Sequence, residues 1–132
     1  MLNQIVARYQ NGSVLKGFTT DFRADKDTFH VTSGGTLGEK PVDVRLADLK
    51  ALFFVRDFTG RPEYNEAKTF DASRPLSGRK IRVVFKDGEE LVGVTQGYQP
   101  GRPGFFVTPA DPDSNNLRCF VVASAVREAK LL

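Results

Sequence analysis

A chain of 132 residues, 40% hydrophobic and 27% charged, has room for one ordinary domain or two very small ones, and its composition is that of neither a disordered tail nor a membrane protein. A single cysteine, Cys119, excludes an internal disulfide, and together with the single histidine, His30, it cannot build a four-ligand zinc site. The formal charge of +3 comes mostly from residues 61–80, where Arg61, Lys68, Arg74, Arg79 and Lys80 outnumber three acids, so it marks a segment rather than a basic nucleic-acid-binding face.

No apolar run approaches the roughly 20 residues of a spanning helix. The start, MLNQIVARYQ, lacks the basic-then-apolar pattern of a signal peptide. The expectation is a reducing, cytoplasmic setting with no membrane association.

The first elements in chain order are two strand-like runs, IVARYQ and SVLKGFTT, on either side of Asn11-Gly12. Asn-Gly predicts a hairpin with a type I′ turn. Gly17, inside the second run, marks a bend or a close backbone approach. A third strand is predicted around Thr28–Thr32 and a fourth over Val42–Leu46, separated by the turn-rich SGGTLGEKP. A short helical turn near Ala47–Lys50 leads into a last strand in ALFFVRDF. Residues 56–80 break the pattern, yet carry Phe58, Tyr64 and Phe70 and one candidate helical turn at Glu63–Lys68. A segment with three aromatics is expected to pack on its neighbours.

The order of signals then recurs. Asp87-Gly88 separates KIRVVFK from EELVGVT, Gly93 matches Gly17, and strands follow at Gly104–Thr108 and Leu117–Val122. PADPDSNN lies between them; a turn candidate at Ala123–Arg127 and a last strand in EAKLL come after. Aligned without a gap, Ile5–Ala47 and Ile81–Ala123 share nine identical residues in 43 pairs, at turn glycines and alternating apolar positions. Duplication of a small β unit accounts for this. The fold expected is all-β: two tandem five-stranded small barrels, Sm-like or Src-homology-3-like, at 1–58 and 78–132. A connecting segment at 59–77 is expected to lie against one or both barrels, and the two copies to pack together, because a core of this size is marginal alone.

The residues DGEELVGVTQGYQPGRPGFFVTPADPDSNNLRCFVVASAV resemble a bacterial family of uncharacterised small domains with a DGE, G, Y, GFF, P-D, NN-x-R, FV pattern. The first copy and VRDFTGRPEYNE are similar to the same family, so the resemblance covers most of the chain. It implies no chemistry; the company such domains keep implies a signalling context.

Sharper motifs fall short. An Sm-type RNA site needs Asp-x-φ-Asn and a later Arg-Gly; here the stretch is Asp25-Lys26-Asp27-Thr28, no Arg-Gly follows Leu46, and the second copy has Gly101-Arg102-Pro103-Gly104. A PilZ-type cyclic-dinucleotide site needs RxxxR and DxSxxG; Arg56 and Arg61 are five apart, and Asp71-Ala72-Ser73 is followed by Leu76 where the glycine belongs. Asp25/Asp27 and Asp111/Asp113 lack the glycine and distal glutamate of a calcium loop and read as turn carboxylates. Cys119 in a strand reads as packing, and His30, between Phe29 and Val31, as a solvated side chain. No nucleophile–base pair is visible.

The function expected is therefore a non-catalytic protein-interaction or regulatory module. No catalytic, cofactor or metal residues are assigned; a protein partner or self-association is expected. The alternative is nucleic-acid or nucleotide binding through an Sm-like or PilZ-like barrel. The candidate surface comes from alternation. Arg8, His30 and Arg45 point away from the first core, and 76 residues on stand Val84, Phe106 and Val121, all apolar. An apolar outer face marks an interface, internal or external.

Overall fold

The structure, a computed structural model, describes residues 3–32, 41–56, 78–96, 98, 101–111 and 114–132. The predicted connecting segment, 59–77 with Tyr64 and Phe70, lies outside the described residues, as does Phe58.

The first half contributes β1 (Asn3–Tyr9), β2 (Val14–Thr19), β3 (Thr28–Val31), β4 (Val42–Arg45), a 3-10 turn (Leu46–Asp48) and β5 (Leu49–Val55). The second contributes β6 (Arg79–Phe85), β7 (Glu90–Thr95), β8 (Gly104–Pro109), β9 (Asn116–Val122), a 3-10 turn (Ala123–Ala125) and β10 (Val126–Leu131). The protein is all-β, as the alternating apolar pattern predicts. No helix among the described residues is long and apolar enough to cross a membrane.

Two separate closed barrels are not what forms. One eight-stranded antiparallel sheet runs β10-β6-β7-β8-β9-β5-β1-β2, with β3-β4 as a further ribbon that touches β2 through a Phe18–Thr32 bridge. The reason lies in β5. It pairs with β1 on one side and with β9 on the other, so the edge needed to close the first half joins it to the second instead. Its sequence, LKALFFV, is buried throughout because both faces are covered. Ala51, Phe53 and Val55 enter a core with Ile81, Val83, Phe85, Phe105, Val107, Cys119 and Val121. Leu49, Leu52 and Phe54 enter the other core with Ile5, Phe29, Val31 and Val44, and this core also takes Phe120 and Val122 from the second half. Each half thus supplies residues to the other's core.

Polar groups fasten the same seam. The Gln10 amide donates to the Ser124 hydroxyl at 2.9 Å, and the Arg56 Nε–H to the Ser114 carbonyl at 3.0 Å.

The hairpins form where Asn-Gly and Asp-Gly predict them, with a different turn. A type I′ turn would put Asn11 and Asp87 at positive φ, but among the described residues only glycines have it, with Gly12 at +94° and Gly88 at +92°. Each loop has three residues. Gly12 N–H donates to the Tyr9 carbonyl and Tyr9 N–H to the Ser13 carbonyl, and Gly88–Phe85 and Phe85–Glu89 repeat this. Asn11 and Asp87 serve through their side chains, whose Oδ1 atoms accept from Ser13 N–H and Glu89 N–H at 2.9 Å. The glycine then takes the left-handed position that such a loop requires.

The halves also correspond in pairing, with one correction to the gapless alignment. Ile5 opposes Gly17 and Ile81 opposes Gly93, an offset of 76. Phe29 opposes Val44, whereas Phe105 opposes Val121, so from the fourth strand onward the offset is 77. The 3-10 turns, Leu46–Asp48 and Ala123–Ala125, keep that step. One extra residue in the second half's loop is enough to turn every later side chain to the opposite face relative to the gapless expectation.

A candidate binding cleft in the second half

The extra residue relocates the predicted surface. The counterpart of Arg45 is Val122, and Val121 is fully buried among Phe105, Val107 and Cys119 in the second core. Phe106 lies on the other face of β8, half-buried against the first half's core. Val84 is buried on β6, opposite Glu90 and Glu128. The three residues do not make one surface: a strand residue and its next neighbour face opposite ways, and the register step separates Val121 from Phe106.

Phe106 nevertheless leads to a site. The ladder between β7 and β8 has only two pairs, Gly93–Pro109 and Val94–Thr108. Beyond them the strands splay, and the buried Thr95 hydroxyl bridges the gap by donating to the Phe106 carbonyl at 2.7 Å. A cleft of about 440 Å³ opens there, within the usual size range for small-ligand pockets. Gln96 and Val94 form one side, Phe106 and Thr108 the other, and Phe120, Arg118, Arg102 and the first half's Ala24 complete it.

The aromatic floor is built across the seam. Phe106 meets Phe120 edge-to-face at 5.0 Å and lies 6.2 Å from Phe22 and 6.3 Å from Phe54 of the first half. Arg118, which opposes Phe54 across the β5–β9 pairing, lays its guanidinium 4.4 Å from the Phe54 ring centroid and 4.6 Å from that of Phe106. Cation–π attraction holds the flat face while leaving the N–H edge available, and the side chain is solvent-exposed. Among the described residues no carboxylate pairs with Arg118 or Arg102, and no acid lines the cleft. Arg102 also borders two neighbouring clefts, of about 390 and 300 Å³.

His30 has partners that sequence spacing did not reveal. Its Nδ1 lies 2.6 Å from Asp21 Oδ2 and its Nε2 3.1 Å from Asp43 Oδ1. Burial alone would raise the Asp21 carboxyl's pKa, but hydrogen bonds from the His30 ring, the His30 backbone N–H and the Thr19 hydroxyl outweigh it and hold the group below the usual carboxylate range. Cys119 is fully buried, Asp25 pairs with Arg23, and among the described residues no group of three acids, histidines or cysteines is placed to hold a metal ion. Asp113, Arg61 and residues 71–77 of the motif comparisons lie outside the described residues.

In the sequence Arg102 stands out only within Gly101-Arg102-Pro103-Gly104, which does not make an Sm site, and Arg118 only as the arginine of the NN-x-R pattern. The available signal was a cation two residues before Phe120 in a strand otherwise rich in apolar residues; its stacking partner, Phe54, comes from a pairing between halves that no local pattern encodes.

No curated protein and no solved structure matches the chain. A family model does match over residues 1–132, and the chain belongs to that family, a family of unknown function (DUF6982).

Proposed function

We propose that the protein is a non-catalytic binding module with a regulatory role, built from two related Sm-like or Src-homology-3-like units, and that the second unit's cleft is its recognition surface. The observation that carries this is Arg118, stacked on Phe54 and Phe106 with, among the described residues, no carboxylate on its N–H edge, and Arg102 lining the same cleft. A positioned guanidinium beside a half-buried aromatic is the residue combination enriched at interaction hot spots. Relatedness of the units is supported by the repeated strand order and by turns, caps and glycine placements that recur at offsets of 76 and 77.

The test is quantitative affinity capture from cells that make the protein, comparing wild type with Arg118→Ala and Arg102→Ala. A partner should be retained by wild type and lost from both variants while their thermal melts stay unchanged. The same recovery by all three would sink the reading. Titration with generic RNA and a cyclic dinucleotide separates the alternative, because affinity that falls steeply with salt belongs to phosphate binding.

A further inference from the structure

The two halves build the same frame around this cleft and differ in what supplies the negative charge. In the first half the anion is internal. Asp21 Oδ1 accepts from the His30 backbone N–H at 3.0 Å and from the Thr19 hydroxyl at 3.2 Å, and Oδ2 faces His30 Nδ1 at 2.6 Å and Lys26 Nζ at 3.8 Å.

An offset of 76 residues carries Thr19 to Thr95, Lys26 to Arg102 and His30 to Phe106. Contacts on either side anchor the correspondence. The edge-to-face pair Phe22–Phe29 at 5.1 Å recurs as Tyr98–Phe105 at 4.8 Å, and the Leu46 N–H bond to the Asp27 carbonyl recurs from Ala123 to Pro103. The same offset carries Asp21 to position 97, which is glycine in the sequence and has no carboxylate to offer. Thr95, without an acid to serve, turns its hydroxyl to the Phe106 carbonyl. The cation is nonetheless kept, as Arg102, and a second is added: Arg118 stands where the first half has Pro41. The His30–Asp43 contact is replaced by the Phe106–Phe120 aromatic pair.

We infer that the second-half cleft receives a carboxylate from another molecule, namely an aspartate or glutamate side chain in an acidic peptide segment of a partner protein. This rests on the reading of the cleft as a recognition surface and specifies its ligand. The class follows from the internal counterpart, which is a carboxylate on a peptide. The guanidinium fork matches a carboxylate's two oxygens. Phe106, half-buried at the cleft wall, offers apolar contact to residues flanking the acid, and the cleft's volume suits a side chain with its neighbours better than a folded surface.

The experiment is a ¹⁵N NMR titration of the full chain with a capped Asp-Phe-Asp peptide, its Asn-Phe-Asn analogue, inorganic phosphate and adenosine monophosphate. The Asp peptide should shift the amides of Gly104–Thr108 and the side-chain Nε–H signals of Arg102 and Arg118. The Asn analogue should bind about tenfold or more weakly, as should the Asp peptide to Arg118→Gln or Arg102→Gln. Lys26→Gln, in the first half, should leave peptide affinity unchanged. Equal binding of the two peptides, or shifts confined to other residues, overturns the inference. If phosphate or the nucleotide moves these signals and the Asp peptide does not, the carboxylate assignment falls and the recognition cleft stands. If no probe moves them, both fall.

Discussion

The Lys50 ammonium lies 2.7 Å from Asp87 Oδ2, sealing a cation of β5 into the hairpin turn of the other half. Glu89 Oε1 is also at 2.7 Å, the Phe85 ring lies 4.7 Å away, and Lys50 is only 8% exposed. The two acids are about half exposed, so the two sides of this contact are not equivalent. Removing the acids strands a buried charge, whereas removing the lysine leaves carboxylates that water can solvate. Asp87→Asn with Glu89→Gln should therefore cost about 3 kcal/mol and Lys50→Met about 1 kcal/mol. Urea denaturation at neutral pH checks the order, and a larger loss for Lys50→Met would contradict it.

Acid should erase part of this contact. The hydrogen bond from Lys50, and then that from the Glu89 backbone N–H, hold the Asp87 carboxyl below its ordinary pKa. A carboxyl whose folded pKa is depressed contributes stability above its unfolded pKa and loses it as pH falls through the folded value. The stability difference between wild type and Asp87→Asn should be constant from pH 5 to 7 and shrink below about pH 4. Asp21, lowered by its own hydrogen bonds, predicts the same shrinkage below about pH 4 for Asp21→Asn, with a loss of about 1 kcal/mol at neutral pH.

Gly17 and Gly93 admit no side chain. A Cβ on Gly17 would lie 2.6 Å from the Thr32 carbonyl oxygen, and one on Gly93 only 2.0 Å from that of Thr108. Backbone must move in both cases, so each alanine variant should lose about 3 kcal/mol, with Gly93→Ala the worse. Gly88→Ala meets nothing within 4 Å and should cost about 1 kcal/mol, from its positive φ alone. Thermal melts of the three variants give the ranking directly.

The halves should unfold as one. Residues 78–132 expressed alone lack Ala51, Phe53 and Val55 from their core and leave β9 as a bare edge. The fragment is expected to be unfolded or aggregated, and the full chain to melt in a single transition. A stable, cooperative fragment would show that the shared strands are dispensable.

Local pattern made most elements legible. Alternation located the strands, and the Asn-Gly and Asp-Gly pairs located both hairpins. It failed where the deciding term was not local. The type I′ reading missed that Asn11 and Asp87 act through their side chains. A single residue in a loop moved Val121 from the predicted surface into the core. The union of the two halves into one sheet depends on β5 meeting β9, a pairing between distant segments that period-two alternation cannot announce. The cleft was legible in part: Asp21 against Gly97 was readable in the aligned halves, but its meaning needed the contacts of Thr19, Lys26 and His30.

The β5–β9 pairing also sets an order of events during synthesis. When β5 leaves the ribosome, Ala51, Phe53 and Val55 are made but the strands that cover them are not. At about 5–20 residues per second, translation needs several seconds more to reach Val122 at the end of β9. Through that interval the nascent first half carries an apolar face and an open strand edge. Its protection until the second half arrives is a task for chaperones or for rapid elongation, and slowing translation between residues 56 and 116 should lower the soluble yield of a protein whose finished form is unchanged.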